Sequence, residues 1–287
     1  MDLRRVLRGL GLEGVHYSSA DLDITARDSV HKVLKREAPS VVINAGAYTN
    51  VDLAEKERER AFAVNTDGAG NVASACEAIG ATLIHISTDF VFDGEKSRPY
   101  REDDRTNPLS TYGRSKLGGE EAVREASTRH YIIRTSWLYG TRGRNFVKTI
   151  LRLAAEREEL QVVADQVGSP TWTFDLAEAI SWMAERVLTG SPPAFGIYHF
   201  SNEGVASWYD LAVAVVEEGR RLGISKRCRV VDPIPTEAWP TPAVRPPYSV
   251  LDKTKIKEAL GIRIPHWHVS LVRMLGELRS MGDMEND

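Results

Sequence analysis

The chain reads as an α/β protein built on a doubly wound parallel sheet, and three features of its 287 residues carry that reading. Short apolar, β-branched runs recur at Ser40–Asn44, Ala81–Ile86 and His130–Ser136. They alternate with helix-forming stretches at Ala26–Glu37, Asp52–Ile79 and Tyr112–Ala126, the order that a parallel sheet needs to make its crossovers. The middle run ends in Ser87-Thr88-Asp89, at the carboxyl end of a strand, where open α/β sheets bind their ligands.

In order along the chain, Met1–Arg8 is amphipathic and arginine-rich. Leu3, Val6, Leu7 and Leu10 form one apolar stripe, so it is predicted as a surface helix rather than a presequence. Gly9-Leu-Gly11-Leu-Glu-Gly14 matches the spacing of a dinucleotide fingerprint, but it follows a helix and precedes the predicted strand Val15–Ser18. A fingerprint must follow a strand and open a helix; this one predicts a helix cap and a turn. The helix at Ala26–Glu37 leads to the strand Ser40–Asn44 and the segment Ala45-Gly46-Ala47-Tyr48-Thr49. One long helix is predicted over Asp52–Ile79, charged in its first half and small and apolar in its second. The tail Met281–Asp287 is polar.

The totals exclude several classes. A net charge of −3 gives no cationic field for nucleic acid. Cys76 and Cys228 stand far apart, which rules out a disulfide framework and suits a reducing compartment. No apolar run is long enough for a membrane span. His266 and His268 lack further ligand spacing, so no metal site is predicted. Gly113-Arg114-Ser115-Lys116-Leu117 falls one residue short of a nucleophile elbow.

The chemistry concentrates between Ser87 and Lys116. Tyr112 and Lys116 lie four apart on a predicted helix and share one face. A phenol is almost wholly protonated at neutral pH, with an ordinary pKa of about 10, whereas a neighbouring ammonium favours the phenolate. The pair can then exchange a proton near neutrality. Alone, Tyr-x-x-x-Lys is more often a lysine stem packed beside a ring; a strand ending in Ser-Thr-Asp just upstream changes the odds.

Ser87-Thr-Asp-Phe-Val-Phe-Asp-Gly94, Pro99-Tyr100-x-Glu102-x-Asp104 and Tyr112-Gly-x-Ser-Lys116-Leu-Gly-Gly-Glu120 resemble the extended short-chain dehydrogenase/reductase family, in particular its dTDP-4-dehydrorhamnose reductase subgroup. The resemblance runs from the first residue to about Leu275. It implies a Rossmann-like sheet in residues 1–144 and a smaller C-terminal substrate lobe mainly in residues 145–287. Leu160–Val163 and the helix Phe174–Leu188 are expected to rejoin the sheet. Helix Asn145–Arg157, strand Gly196–Phe200, helix Trp208–Leu222 and the proline-rich Pro233–Pro247 are expected to build the substrate lobe.

The implied reaction is hydride transfer from reduced nicotinamide to the ketone of dTDP-4-dehydro-L-rhamnose, in the cytoplasm, for cell-surface polysaccharide. Tyr112 would protonate the oxygen, Lys116 would lower the tyrosine pKa and hold the nicotinamide ribose, and Thr88 would aim the substrate oxygen. Nucleotide-sugar dehydratases of the superfamily carry Thr-Asp-Glu at this strand end; Phe90 cannot transfer a proton, so Asp89-Phe90 favours a simple reductase. Asp23, Ile24, Ala45, Gly46, Ala47 and Tyr48 align with positions lining the adenine and ribose. Ser18 stands where an acidic residue would grip the ribose 2′-hydroxyl, which favours NADPH, with NADH the alternative. Asp89, Trp137, Asn145 and Arg245 are the further substrate contacts. Trp137 divides evenly between covering the substrate and filling the core, and Arg245 between gripping the diphosphate and an ordinary salt bridge. A homodimer is compatible with the resemblance.

The family opens with a strand and a glycine-rich phosphate loop, for which this sequence has no counterpart. That strand is the central one in the 3-2-1-4-5 order, so the native protein is expected to carry further upstream residues, which its intact mass would test. Two other readings stay open: a non-catalytic binding subunit of the same fold, and a reductase of another nucleotide-linked keto sugar.

Overall fold

The computed structural model describes residues 2–284, so Met1 and the end of the polar tail lie outside the description. Helix α1 (Asp2–Gly9) buries Val6 and Leu7 along its predicted stripe. The glycines after it close the helix: Gly11 stands at φ +69°, and its amide bonds back to the Arg8 carbonyl. The predicted strand Val15–Ser18 does not form. Among the described residues no neighbouring strand completes its backbone hydrogen bonds; Val15 is 64% exposed, and the Tyr17 hydroxyl donates to Glu37 at 2.7 Å.

Helix α2 (Arg27–Glu37) and strand β1 (Val41–Asn44) follow as predicted. The long helix predicted over Asp52–Ile79 is instead divided into α3 (Val51–Ala54), α4 (Arg58–Phe62), a π-helical turn at Ala63–Asp67, and α5 (Gly68–Ile79). Strand β2 (Thr82–Thr88), helix α6 (Thr111–Ala126) and strand β3 (His130–Thr135) complete the first half. The π turn has a visible cause. Gly119 of α6 lies so close to it that a Cβ there would sit 2.1 Å from the Asn65 carbonyl oxygen, and the widened turn makes room for that approach.

The second half runs β4 (Leu138–Tyr139), α7 (Phe146–Glu156), β5 (Glu159–Val163), β6 (Val167–Gly168), β7 (Thr171–Trp172) and α8 (Thr173–Leu188). Then come β8 (Gly196–His199), β9 (Ala206–Ser207), α9 (Trp208–Arg221), β10 (Val230–Ile234), α10 (Thr254–Leu260) and α11 (Trp267–Met284). The main sheet has the order β1-β2-β3-β8, parallel throughout. Two lobe assignments therefore change places. Leu160–Val163, expected in the main sheet, pairs with β10 in a separate two-stranded sheet, because its buried Leu160 and Val162 face the core shared by α7 and α9. Gly196–His199, expected in the substrate lobe, instead joins β3 as an edge of the main sheet. Helix α8 does pack on that sheet: Leu176, Ile180 and Met183 meet Ile84, Tyr131 and Ile133.

Burial fixes where the sheet is firm. Leu83, Ile84, Ile132 and Ile133 are fully buried, each worth about 1.5–3 kcal/mol relative to exposure. Val41, Val42 and Ile43 of β1 are only half-buried, because no strand among the described residues pairs with β1's outer edge.

Candidate active site

Thr88 ends β2, in register with Thr135 of β3. The chain then turns through a short 3-10 segment at Asp89–Val91, which Thr88 caps by accepting from the Phe90 amide at 3.2 Å. The Thr88 hydroxyl donates to Asp89 Oδ1 at 3.0 Å. Ser110 caps α6 by accepting from the Gly113 amide at 3.1 Å, and Glu55 holds the helix start through the Thr111 amide and hydroxyl, both at 2.7 Å. Tyr112 is thereby fixed beside Thr88, half-buried, its ring edge-on to Phe90 with centroids 5.6 Å apart.

Burial pushes the Tyr112 phenol up to about 12; the nearby Thr88 hydroxyl opposes that and the Asp89 charge adds to it. The phenol is therefore a proton donor at neutral pH. Burial also raises the Asp89 carboxyl to about 6, against the pull of Ser249, Thr88 and backbone amides. Its Oδ2 is buried without a hydrogen-bond partner among the described residues.

Lys116 departs from expectation. Its ammonium turns into the sheet, donating to the Ile86 carbonyl at 2.7 Å and facing Nε2 of His85 at 3.5 Å, and it is not among the groups that shift the Tyr112 phenol. It is 2% exposed, and burial brings its pKa down to about 8 despite the attraction of Glu120. Burial and the Lys116 charge hold His85 well below its ordinary value, so the imidazole is neutral.

Behind these groups lies a buried ion pair. Arg134 donates to both Glu120 oxygens, at 2.9 and 2.7 Å, and Ser87 donates to the first at 2.5 Å. A paired guanidinium and carboxylate this deep hold β2, β3 and α6 in one geometry, and losing either partner would leave an uncompensated charge.

On the cofactor side, the Asp23–Thr25 turn and the Ala45–Tyr48 loop lie side by side at the carboxyl end of β1. Asn71 donates to the Ile24 and Thr25 carbonyls at 3.0 and 3.2 Å, and Asn65 exchanges hydrogen bonds with both the amide and carbonyl of Tyr48. Ala45, Gly46 and Asp23 remain exposed. The two loops leave exposed backbone at the carboxyl end of β1, where a dinucleotide could be held. Ser18 is an exposed turn residue that donates to Asp21 at 2.6 Å through its hydroxyl, so a carboxylate stands close by after all.

The expected substrate contacts divide. Trp137, at the strained φ of +48°, stacks flat on Trp208 with 3.5 Å between centroids. Asn145 is the N-cap of α7: it accepts from the Lys148 amide at 3.0 Å and donates to the Gly140 carbonyl at 2.8 Å, which uses both ends of its amide. Arg245 is paired with Asp52, at 3.1 and 2.9 Å, but also lines a cleft of about 640 Å³ with Phe146, Ile150, Leu160, Gln166, Trp208 and Trp239. Ser249, four residues beyond Arg245, lies against Asp89. Four extended residues span at most about 14 Å, so one strand of backbone joins this cleft to the reactive end of β2.

A second cleft, about 440 Å³, is lined by Arg101, Glu102, Asp252, Lys255 and their neighbours and holds none of the reactive groups. Among the described residues, no cluster of three His, Cys, Asp or Glu could hold a metal ion, and no helix is long and apolar enough to cross a membrane.

Sequence reasoning missed His85, Asn44, Asn65, Asn71, Ser249 and Trp208. Their roles depend on contacts between distant segments; only the polar His85 within an apolar strand gave a local signal.

Residues 1–280 match the family model described as the RmlD substrate binding domain. The dTDP-4-dehydrorhamnose reductase of Escherichia coli (strain K12) is 41% identical over 280 residues, covering 96% of this chain and 93% of that protein. The spore coat polysaccharide biosynthesis protein SpsK of Bacillus subtilis (strain 168) is 43% identical, covering 99% and 95%. A crystal structure of dTDP-4-dehydrorhamnose reductase from Bacillus anthracis in complex with NADP superposes with a TM-score of 0.87 at 37% identity, covering 96% of this chain and 94% of that one. The chain belongs to the family of dTDP-4-dehydrorhamnose reductases that carry the RmlD substrate binding domain.

Proposed function

We propose that this protein reduces the 4-keto group of dTDP-4-dehydro-L-rhamnose to give dTDP-L-rhamnose, with NADPH as the preferred cofactor. The observation that carries the reading is the meeting of Thr88, Asp89 and Tyr112 at the carboxyl end of β2, beside backbone that leads into the Arg245 cleft. The protonated Tyr112 suits donation to an oxygen that gains negative charge as hydride arrives at carbon. Thr88 is placed to aim that oxygen, and Asp89 to accept from a sugar hydroxyl. The apolar wall of the cleft suits a nucleobase, and Arg245 suits a diphosphate once Asp52 releases it. The cofactor supplies the hydride; Asp23–Ile24, Ala45–Tyr48, Tyr112 and Lys116 would hold it.

The names of the relatives support this reading: reductases of the same ketone, one of them bound to NADP, and a protein of polysaccharide biosynthesis. We place the reaction in the cytoplasm and take a homodimer as the working assembly, which light scattering on the purified protein decides. The deciding experiment for function is consumption of NADPH with dTDP-4-dehydro-L-rhamnose, with the product identified by chromatography. Cofactor binding without turnover of this ketone sinks the proposal. The half-exposed β1 favours one second reading, a non-catalytic binding subunit, for which a nicotinamide fluorescence titration would show no binding.

A further inference from the structure

A chain of buried polar groups runs behind Lys116 and has no part in the reaction described above. The Gly46 amide donates to Asn44 Oδ1 at 3.1 Å, Asn44 Nδ2 faces His85 Nδ1 at 3.2 Å, and His85 Nε2 faces Lys116 Nζ at 3.5 Å. Asn44, His85 and Lys116 are 6%, 1% and 2% exposed. Each link fixes the next. A backbone N–H only donates, so Asn44 must turn its oxygen to Gly46 and its amide nitrogen to His85. That nitrogen also donates, so Nδ1 of the neutral ring accepts and the ring's one proton sits on Nε2. This proton points at Lys116. An ammonium has three N–H bonds and no lone pair: one bond reaches the Ile86 carbonyl at 2.7 Å, and another would meet Nε2–H head on. A neutral amine accepts from Nε2–H and still donates to Ile86.

We propose that His85, fixed by Asn44 in the Nε2–H tautomer, is a positioning residue that seats Lys116 against Ile86 and disfavours its charged form. The proposal rests on the reading of Tyr112 and Lys116 as the reacting pair. It links the cofactor loop at Gly46 to the charge on Lys116, one helical turn from Tyr112. When a ligand takes the Gly46 N–H, Asn44 is free to turn its oxygen toward His85. The ring proton then moves to Nδ1, Nε2 becomes an acceptor for the Lys116 ammonium, and Lys116 holds its proton more tightly.

The other groups around Lys116 do not dictate this. Glu120 on α6 attracts the ammonium, but its carboxylate is shared by Arg134 of β3 and Ser87 of β2. Asp89 at the end of β2 acts on Tyr112, and Glu55, beyond α3, is bonded to Thr111 at the helix start.

The first test reads the tautomer in the wild-type protein. Nitrogen-15 NMR of the cofactor-free protein separates the two imidazole tautomers, with the His85 signals assigned by their loss in His85→Gln. The Nε2–H form is expected; an Nδ1–H form overturns the proposal. The second test uses Asn44→Asp, whose carboxylate only accepts. His85 should convert to Nδ1–H, and the alkaline limb of the kcat profile should rise by about one pH unit, tenfold in proton affinity. In the Asn44→Asp, His85→Gln double variant most of that rise should vanish. An unchanged tautomer in Asn44→Asp, or a rise that persists in full without His85, overturns the relay. If the native protein shows no turnover at all, the reductase reading fails while the tautomer result still judges the relay.

Discussion

Gly113 and the Phe90 carbonyl are packed so tightly that a Cβ on residue 113 would lie 2.3 Å from that oxygen and 2.9 Å from Pro108 Cβ. Neither neighbour is the free end of a flexible side chain, so the backbone itself must move. The contact sets the first turn of α6 against the strand end and thereby sets the distance from Tyr112 to Thr88. Gly113→Ala should destabilise the protein by about 1–3 kcal/mol, the usual cost of overpacking. It should also lower kcat more than it alters KM, because the donor is displaced while the binding cleft is untouched. Thermal denaturation and steady-state kinetics read the two effects, and wild-type kcat in the alanine variant would refute the positioning role.

Tyr112→Phe removes the phenol that donates the proton and leaves the edge-on packing on Phe90. A loss in kcat of about 10²–10⁴ is expected, the usual worth of a general acid. Binding of NADPH, followed by fluorescence, should change little. Thr88→Val should cost less, since it misaligns the substrate oxygen without removing the proton donor. Should the phenylalanine variant keep most of its activity, the proton comes from elsewhere.

Arg245 now donates to Asp52 at 3.1 and 2.9 Å, across from α3 to the proline-rich segment. The pair is part-exposed, so it is worth at most about 1 kcal/mol to stability. It nonetheless competes with a diphosphate for the same guanidinium. Asp52→Asn should leave the melting temperature nearly unchanged and lower KM for the nucleotide sugar, whereas Arg245→Ala should raise KM several-fold. A KM unaffected by either change would make the pair an ordinary surface bridge.

How much of this was legible in the sequence follows from the range of each signal. The strands at Val41, Thr82 and His130 and the Tyr112–Lys116 helix announce themselves through local composition and spacing. The lobe membership of Leu160–Val163 and Gly196–His199 did not, since both are short apolar runs whose partners, β10 and β3, are chosen by packing across the chain. Val15–Ser18 has the residues of a strand but no neighbour to pair with among the described residues. The long helix at Asp52–Ile79 shows no break in its pattern; the close approach of Gly119 forces the π turn, and that contact spans the distance between two helices. The direction of the Lys116 side chain was the least legible of all. Spacing puts it on the same face as Tyr112, while the Ile86 carbonyl and the neutral His85 draw it the other way.

That turn has a consequence for stability. Lys116 has an ordinary pKa of 10.5 and stands at about 8 in the folded protein. Between those values the unfolded chain binds the extra proton, so stability rises with pH there; below about pH 8 the full penalty of the buried charge is present. At neutral pH that penalty is about 3 kcal/mol. Lys116→Met keeps the length of the side chain and removes the charge, but it leaves the Ile86 carbonyl without its partner, which costs about 1–3 kcal/mol. The variant of the cofactor-free protein should therefore match or exceed wild-type stability at pH 7, although it should be inactive. Its advantage should shrink steadily as pH rises from 8 toward 10, because wild type is relieved of its charge and methionine has none to lose. Asp89 behaves in the opposite sense, its carboxyl raised from 3.8 to about 6. The folded state holds the extra proton in that window, so stability falls as pH rises from 4 to 6, and Asp89→Asn should flatten the decline. Denaturant melts across pH 4–10 separate the two residues, and an advantage of Lys116→Met that is constant with pH would show that Lys116 is not buried as a cation.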